Sequence, residues 1–270
     1  MTVLPRAERP DEDAAGHQLL ARLGKRVLRP GGARLSGVLL DTAGVADADV
    51  VELAPGTGRT ARDILARRPR SYAGVDNDPA AAAAVSEVVG RAVGAPSEIR
   101  RRVVVADAAA TGLPDACADV VVGEAMLTMQ GDRTKEAIVA EAVRLLRPGG
   151  RYAVHELGLV PDDVADAVRT DVRQGLARAI KVNARPLTVA EWEALMRRHG
   201  LEVEHVALAP MALLRPRRVL ADEGLVGALR LGRNIAVRPA ARRRVLAMRR
   251  TFRTHRRAMT AVAVVARKPG

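Results

Sequence analysis

Five carboxylates and a histidine punctuate this chain between positions 52 and 156: Glu52, Asp76, Asp107, Glu124 and the adjacent pair His155 and Glu156. Each stands in or just after a short apolar run. Carboxylates placed this way can accept hydrogen bonds from hydroxyl and ammonium groups, and a histidine can exchange a proton near neutral pH. Two glycines, Gly56 and Gly58, follow the first acid in E-L-A-P-G-T-G-R. Lacking Cβ atoms, they let the main chain turn at positive φ and let a ligand lie directly against it. A helix opening at Arg59 presents its unpaired N–H groups to that ligand. His17, His199, His205 and His255 are scattered, so no metal site is predicted, and the single cysteine, Cys117, leaves no disulfide to form within the chain.

The elements that must position these groups alternate. Strand one is expected over 49–53, strand two over 71–75, strand three over 101–106, strand four over 119–123 and strand five over 151–155. Asp78 with Pro79 reads as an N-cap and first helical position, opening an alanine-rich helix to about Val89. Another helix, about Thr134 to Leu146, leads into the turn R-P-G-G. Near-continuous Val and Leu in strands separated by helices predicts a doubly wound, mostly parallel sheet of seven strands covered on both faces. Ligands of such sheets sit beyond the carboxyl ends of the strands, where the acids above fall.

Around this core, residues 1–48 read as an arm, over about 1–13, followed by two cap helices. The core spans 49–207, with a helical cap within 157–186 whose apolar stripe is Val164, Val168, Val172, Leu176 and Ile180. Thr188 and Glu191 form a capping-box pattern. A sixth strand is expected over 201–207 and a last one over 261–266, within the terminal segment 261–270. Between them, 208–260 is an arginine-rich helical insertion, long enough to act as a lid or, failing that, as a dimer surface.

A chain of 270 residues can bury a full core. Its 48% hydrophobic content is mostly Ala, Val and Leu, with Tyr72, Tyr152, Trp192 and Phe252 as the four aromatics. No apolar run reaches the length of a membrane span and the N-terminus lacks the apolar core of a secretory signal, so a cytoplasmic location is expected. The net charge of +13 is carried almost wholly by arginine in an Ala, Val and Gly-rich chain, and is read mainly as solvated surface. The scarcity of aromatics removes the stacking platforms of single-stranded nucleic-acid binders.

Two cofactors compete for the glycine turn. Gly56, Gly58 and Ala61 fit G-x-G-x-x-A, with Asp76 about twenty residues on, as in dinucleotide sites. Against that, neither tyrosine has a lysine four residues later, and strand three ends in its own acid, Asp107. The ordered set E-L-A-P-G-T-G-R, Y-A-G-V-D-N-D, V-V-V-A-D-A-A-A-T-G-L-P, C-A-D-V-V-V and L-L-R-P-G-G-R-Y resembles the class I S-adenosylmethionine-dependent methyltransferases, most closely the small-molecule branch that includes quinone-biosynthesis enzymes. The resemblance covers about Val50 to Glu156. It implies that Gly56 and Gly58 lie against the methionyl and ribose portion of S-adenosyl-L-methionine, that Asp76 takes the ribose hydroxyls, and that Asn77 flanks the adenine. Asp107 then accepts from the adenine amino group, Ala108 offers its N–H to the ring, Glu52 holds the methionyl ammonium, and Ala54 and Glu124 complete the expected cofactor-binding set. Ala54 departs from the pattern, standing where the family often has its first glycine.

Methyl transfer from a sulfonium is an in-line displacement, governed mainly by alignment. A base is needed only where the acceptor must lose a proton, and His155, Glu156 and Glu124 are the candidates, with His155 and Glu156 preferred. The expected acceptor is a small molecule. The alternatives are an RNA methyltransferase using arginines between 215 and 257, and a non-catalytic relative of the fold; peripheral contact with anionic lipid would also suit the basic insertion.

Overall fold

A computed structural model describes residues 10–91 and 100–270. The expected N-terminal arm lies outside the described residues up to position 9. Five parallel strands, β1 (Asp49–Leu53), β2 (Ser71–Asp76), β3 (Arg100–Val105), β4 (Ala118–Glu124) and β5 (Leu146–Leu159), are continued by β6 (Leu187–Thr188), β7 (Glu202–Pro210) and β8 (Met259–Arg267). The sheet order is β3-β2-β1-β4-β5-β8-β7, with the two-residue β6 pairing beside β5. This is the doubly wound, mostly parallel α/β sheet that the strand pattern predicts. The last strand of the chain is interior: β8 runs antiparallel to both β5 and β7.

Helices α1 (Gly16–Arg22) and α2 (Gly32–Ala43) precede the sheet. Then α3 (Arg59–Leu65) and α4 (Pro79–Gly90) follow β1 and β2, α5 (Asp132–Leu145) follows β4, and α6 (Asp166–Ile180) and α7 (Val189–Arg198) follow β5. Both faces of β1 are covered, and all five of its residues are buried. One face packs Leu35, Leu39 and Leu40 of α2 with Ile64 of α3 and Val85 of α4 against Val50, Val120 and Ala263. The other packs Ile138 and Ala142 of α5 with Trp192 and Leu195 of α7 against Val51, Val121 and Val264.

Local signals act as the residue chemistry dictates. The Asp78 side chain accepts the Ala80 N–H at 2.9 Å, with Pro79 at the first helical position. The Thr188–Glu191 capping box closes from both sides, at 3.2 and 2.7 Å. Trp192 on the same helix is buried and donates its indole N–H to the Leu157 carbonyl at 3.2 Å, tying α7 to β5 beside Glu156.

Two elements depart from expectation, and the insertion is helical as predicted. Strand β5 is far longer than 151–155, because β8 pairs with it all the way from Arg151 to Leu159. Helix α6 starts at Asp166 and turns Val168 outward, leaving Val172 and Leu176 as its buried stripe. Residues between β7 and β8 fold as α8 (Pro216–Ala236) and α9 (Pro239–Thr254), with a break in α8 at Gly224.

Candidate active site

The order of strands reverses between β1 and β4, which are hydrogen-bonded neighbours although two strands separate them in sequence. A crevice beyond their carboxyl ends is where an open α/β sheet holds ligands. Leaving β1, the chain takes left-handed conformations at Ala54 (φ 52), Gly56 (φ 56) and Gly58 (φ 73). A Cβ on Gly56 would meet nothing closer than the Ala54 carbonyl at 4.0 Å, so it is backbone conformation that calls for glycine there, and the space above it is open. At Gly58, which caps α3, a Cβ would also press on Val88 of α4 at 3.1 Å.

Asp76 is bound into this turn. Its Oδ2 accepts the Gly56 N–H and its Oδ1 the Asp78 N–H, both at 3.0 Å. Burial pushes its carboxyl upward, against the pull of those two donors. Asn77 beside it is exposed. Asp107, at the end of β3, is exposed as well and accepts the Ala109 N–H on Oδ1 at 2.8 Å, with Ala108 half-buried between them.

Glu52 lies beneath the turn, fully enclosed, and accepts the Tyr72 hydroxyl at 2.6 Å. Burial raises its carboxyl to about 8, with nearby Glu124 adding to the rise and the Tyr72 bond opposing it.

Glu124 is the hub of a buried network. Its Oε1 accepts from the Ser36 hydroxyl and meets His155 Nδ1 at 3.0 Å. Its Oε2 accepts the Thr60 hydroxyl at 2.6 Å and pairs with Arg29 Nε at 3.0 Å. These four partners fill the acceptor sites of a carboxylate. Burial alone would raise the Glu124 carboxyl, but Arg29, His155 and Ser36 together outweigh it and hold it at about 2. Arg29 also reaches Asp63 of α3 at 3.2 Å.

His155 is wholly buried, and its Nε2 accepts the Gly31 N–H at 3.0 Å. That bond assigns the ring proton to Nδ1, facing Glu124. Glu156 is wholly buried too. It accepts the N–H groups of Met126, Leu127 and Thr128 at 2.9, 2.7 and 3.0 Å and the Thr128 hydroxyl at 2.7 Å, fastening the 3-10 turn Leu127–Met129 that follows β4. Burial pushes its carboxyl up while those donors pull it down.

The geometry thus gathers Glu52, Ala54, Gly56, Gly58, Asp76 and Glu124 at adjacent strand ends, and places His155 and Glu156 one strand further on. Sequence reasoning missed Arg29, Gly31, Ser36 and Thr60. Thr60 was within reach, since its hydroxyl sits two residues past Gly58 at the start of α3. Arg29 was hidden in K-R-V-L-R-P-G-G, whose proline and glycines signal only a break.

Next to this network, an apolar cleft opens between Ala125 and Met129 after β4, Leu157 of β5, Leu20 of α1, and Met248 and Phe252 of α9. Its volume is about 70 Å³, and His17, Thr128 and Glu156 are the polar side chains of its lining. Among the described residues, no group of three His, Cys, Asp or Glu could hold a metal ion. No helix among them is long and apolar enough to cross a membrane.

A family model described as a methyltransferase domain matches residues 50–150. An uncharacterised protein of Haemophilus influenzae is 31% identical over 260 residues, covering 95% of this chain and 99% of its own. Among solved structures, the [4+2]-cyclase SpnF has a TM-score of 0.70 at 16% identity, covering 95% of this chain and 97% of that one. A protein from Galdieria sulphuraria described as a sarcosine dimethylglycine methyltransferase has 0.67 at 17%, covering 87% and 86%. Fold and switch-point crevice define a Rossmann-like methyltransferase domain. Residues 50–150 carry the methyltransferase domain, and the chain has the fold shared by class I S-adenosylmethionine-dependent methyltransferases.

Proposed function

We propose that the protein transfers a methyl group from S-adenosyl-L-methionine to an apolar small-molecule acceptor. The observation that carries this is the adjacency of the Gly56–Asp76 unit to the apolar cleft, across the Glu124–Ala125 step at the end of β4. When bound, the cofactor supplies an electrophilic methyl on a sulfonium whose leaving group departs neutral.

The residues fit such a ligand. Each Asp76 oxygen accepts one N–H and so keeps a lone pair for a ribose hydroxyl. Asp107 keeps Oδ2 for an adenine amino group, with Asn77 and the Ala108 N–H beside it. Gly56 and Gly58 leave the backbone bare for the methionyl and ribose portion. Glu52 stands below them, where an ammonium group would favour its ionised form. Arg29, a buried guanidinium beside this end of the crevice, is suited to a carboxylate.

His155 and Glu156 are positioning residues in this reading. Both ring nitrogens of His155 are engaged and four donors saturate Glu156, so neither offers an atom to receive a proton. Glu124 has no vacant acceptor site either, and takes up cofactor only by giving up a present partner. These groups fix the turn after β4 and the segment around Gly31, next to Ala125 and Pro30 of the cleft lining. Rate acceleration then comes from alignment of the two reactants.

Calorimetric titration of the full chain with S-adenosylmethionine and S-adenosylhomocysteine tests the reading. Micromolar affinity for both supports it, and heat-silent titrations accompanied by no thermal stabilisation sink it.

A further inference from the structure

Between β7 and β8 the fold leaves six large apolar side chains between 48% and 71% exposed: Leu220, Leu225, Val226, Leu229, Val237 and Leu246. Gly224 (φ 71, ψ 174) breaks α8, and beyond the break the exposed positions are 225, 226, 229, 230, 232, 233, 236 and 237. That spacing is one continuous face of a helix. It reads Leu, Val, Leu, Arg, Gly, Arg, Ala, Val. The opposite face holds the helix to the protein through buried Leu231 and through Asn234, which donates to the Leu23 carbonyl at 2.9 Å.

The charge of the insertion has one sign outward. Between positions 211 and 258 stand fourteen arginines and two acids, a formal +12 within the chain's +13. Both acids are buried against the N-terminal segment. Glu223 accepts the Arg26 and Val27 N–H groups at 2.9 Å each, and Asp222 accepts the Ala33 N–H at 3.1 Å. Arginines 230 and 233 therefore lie within the apolar face, while Arg242, Arg249, Arg250 and Arg253 are exposed on neighbouring α9.

We infer that this face docks the protein onto an anionic lipid bilayer, with Leu225, Val226 and Leu229 entering the acyl boundary and the arginines meeting headgroup phosphates. An amphipathic helix rich in arginine with exposed leucines is built for that interface. A second copy of the chain would bring two strongly positive surfaces together. RNA would leave the leucines and valines without a partner, and the insertion's one aromatic, Phe252, lines the interior cleft rather than offering a stacking platform. The docking stands independently of the proposed methyl transfer, although α9 carries both the outward arginines and two residues of the apolar cleft.

The test is co-sedimentation of the full chain with phosphatidylcholine vesicles, with and without phosphatidylglycerol, for wild type, for Leu225→Asp with Leu229→Asp, and for Arg249→Glu, Arg250→Glu with Arg253→Glu. The altered positions are exposed, and circular dichroism checks that the variants fold. Wild type should bind the anionic vesicles at least tenfold more tightly than the neutral ones, and each variant should lose at least tenfold on them. Equal binding by wild type to both vesicles overturns the proposal whatever the variants do. So does a wild-type dimer that the aspartates dissociate in the absence of vesicle binding, which would assign the face to a second copy.

Discussion

Gly56 gives its backbone N–H to Asp76 Oδ2 at 3.0 Å, so the turn after β1 and the acid ending β2 form one unit. Twenty residues apart in sequence, the two stand beyond and at the ends of neighbouring parallel strands, where Leu53 pairs with Val75. The turn therefore fixes the carboxylate that any ribose would meet, and the carboxylate in turn holds the turn at positive φ.

Ala54 adopts φ 52, a conformation that costs a residue with Cβ roughly 1 kcal/mol. Replacing it by glycine removes that cost and adds unfolded-state entropy of similar size. Ala54→Gly should leave stability within about 1 kcal/mol of wild type and S-adenosylhomocysteine affinity nearly unchanged, whereas Ala54→Val should lose roughly 2 kcal/mol through strain at a β-branched residue. Urea unfolding of the three proteins measures the stabilities, and calorimetry with S-adenosylhomocysteine measures the affinity.

Glu52 is raised to about 8 by burial, so the folded state favours its protonated form. A group raised in this way contributes stability that is fully present below its unfolded pKa, near 4.5, and is lost as pH rises through about 8. Glu52→Gln keeps an acceptor for the Tyr72 hydroxyl but has no proton to lose. Relative to wild type, it should gain stability by a few kcal/mol between pH 5 and pH 9. Parallel melting curves across that range, without cofactor, would show no such divergence if Glu52 were ionised in the fold.

Arg29 and Glu124 form a buried pair, with side chains 5% and 3% exposed. Arg29→Met strands a buried charge and should cost about 3–5 kcal/mol near neutral pH. Glu124 is depressed to about 2, so its contribution is present above pH 4.5 and lost as pH falls through about 2. The deficit of Arg29→Met should accordingly shrink in acid. Adding Glu124→Gln should recover part of it, and a deficit that neither acid nor the second substitution relieves would place the cost elsewhere.

The glycine turn and the acids at the strand ends were legible because these groups are local. Gly56, Asp76 and Asp107 each end or follow an apolar strand, and strand ends are visible in sequence. What His155 and Glu156 do was not legible. His155 meets Gly31, 124 residues earlier, and Glu156 meets a turn 28 to 30 residues earlier. A histidine and an acid at a strand end look alike whether solvated or saturated by distant donors. The spacing of Leu225, Val226 and Leu229 likewise showed a helix without showing that the Gly224 break turns them away from the core.

The central claim is that Asp76 holds the adenosyl ribose. Calorimetry with S-adenosylhomocysteine on wild type and Asp76→Ala tests it most directly. Loss of both hydroxyl contacts should weaken binding tenfold or more, a change of at least about 1.4 kcal/mol. Equal affinity in the two proteins, with the variant folded, would contradict the assignment of this crevice to the cofactor.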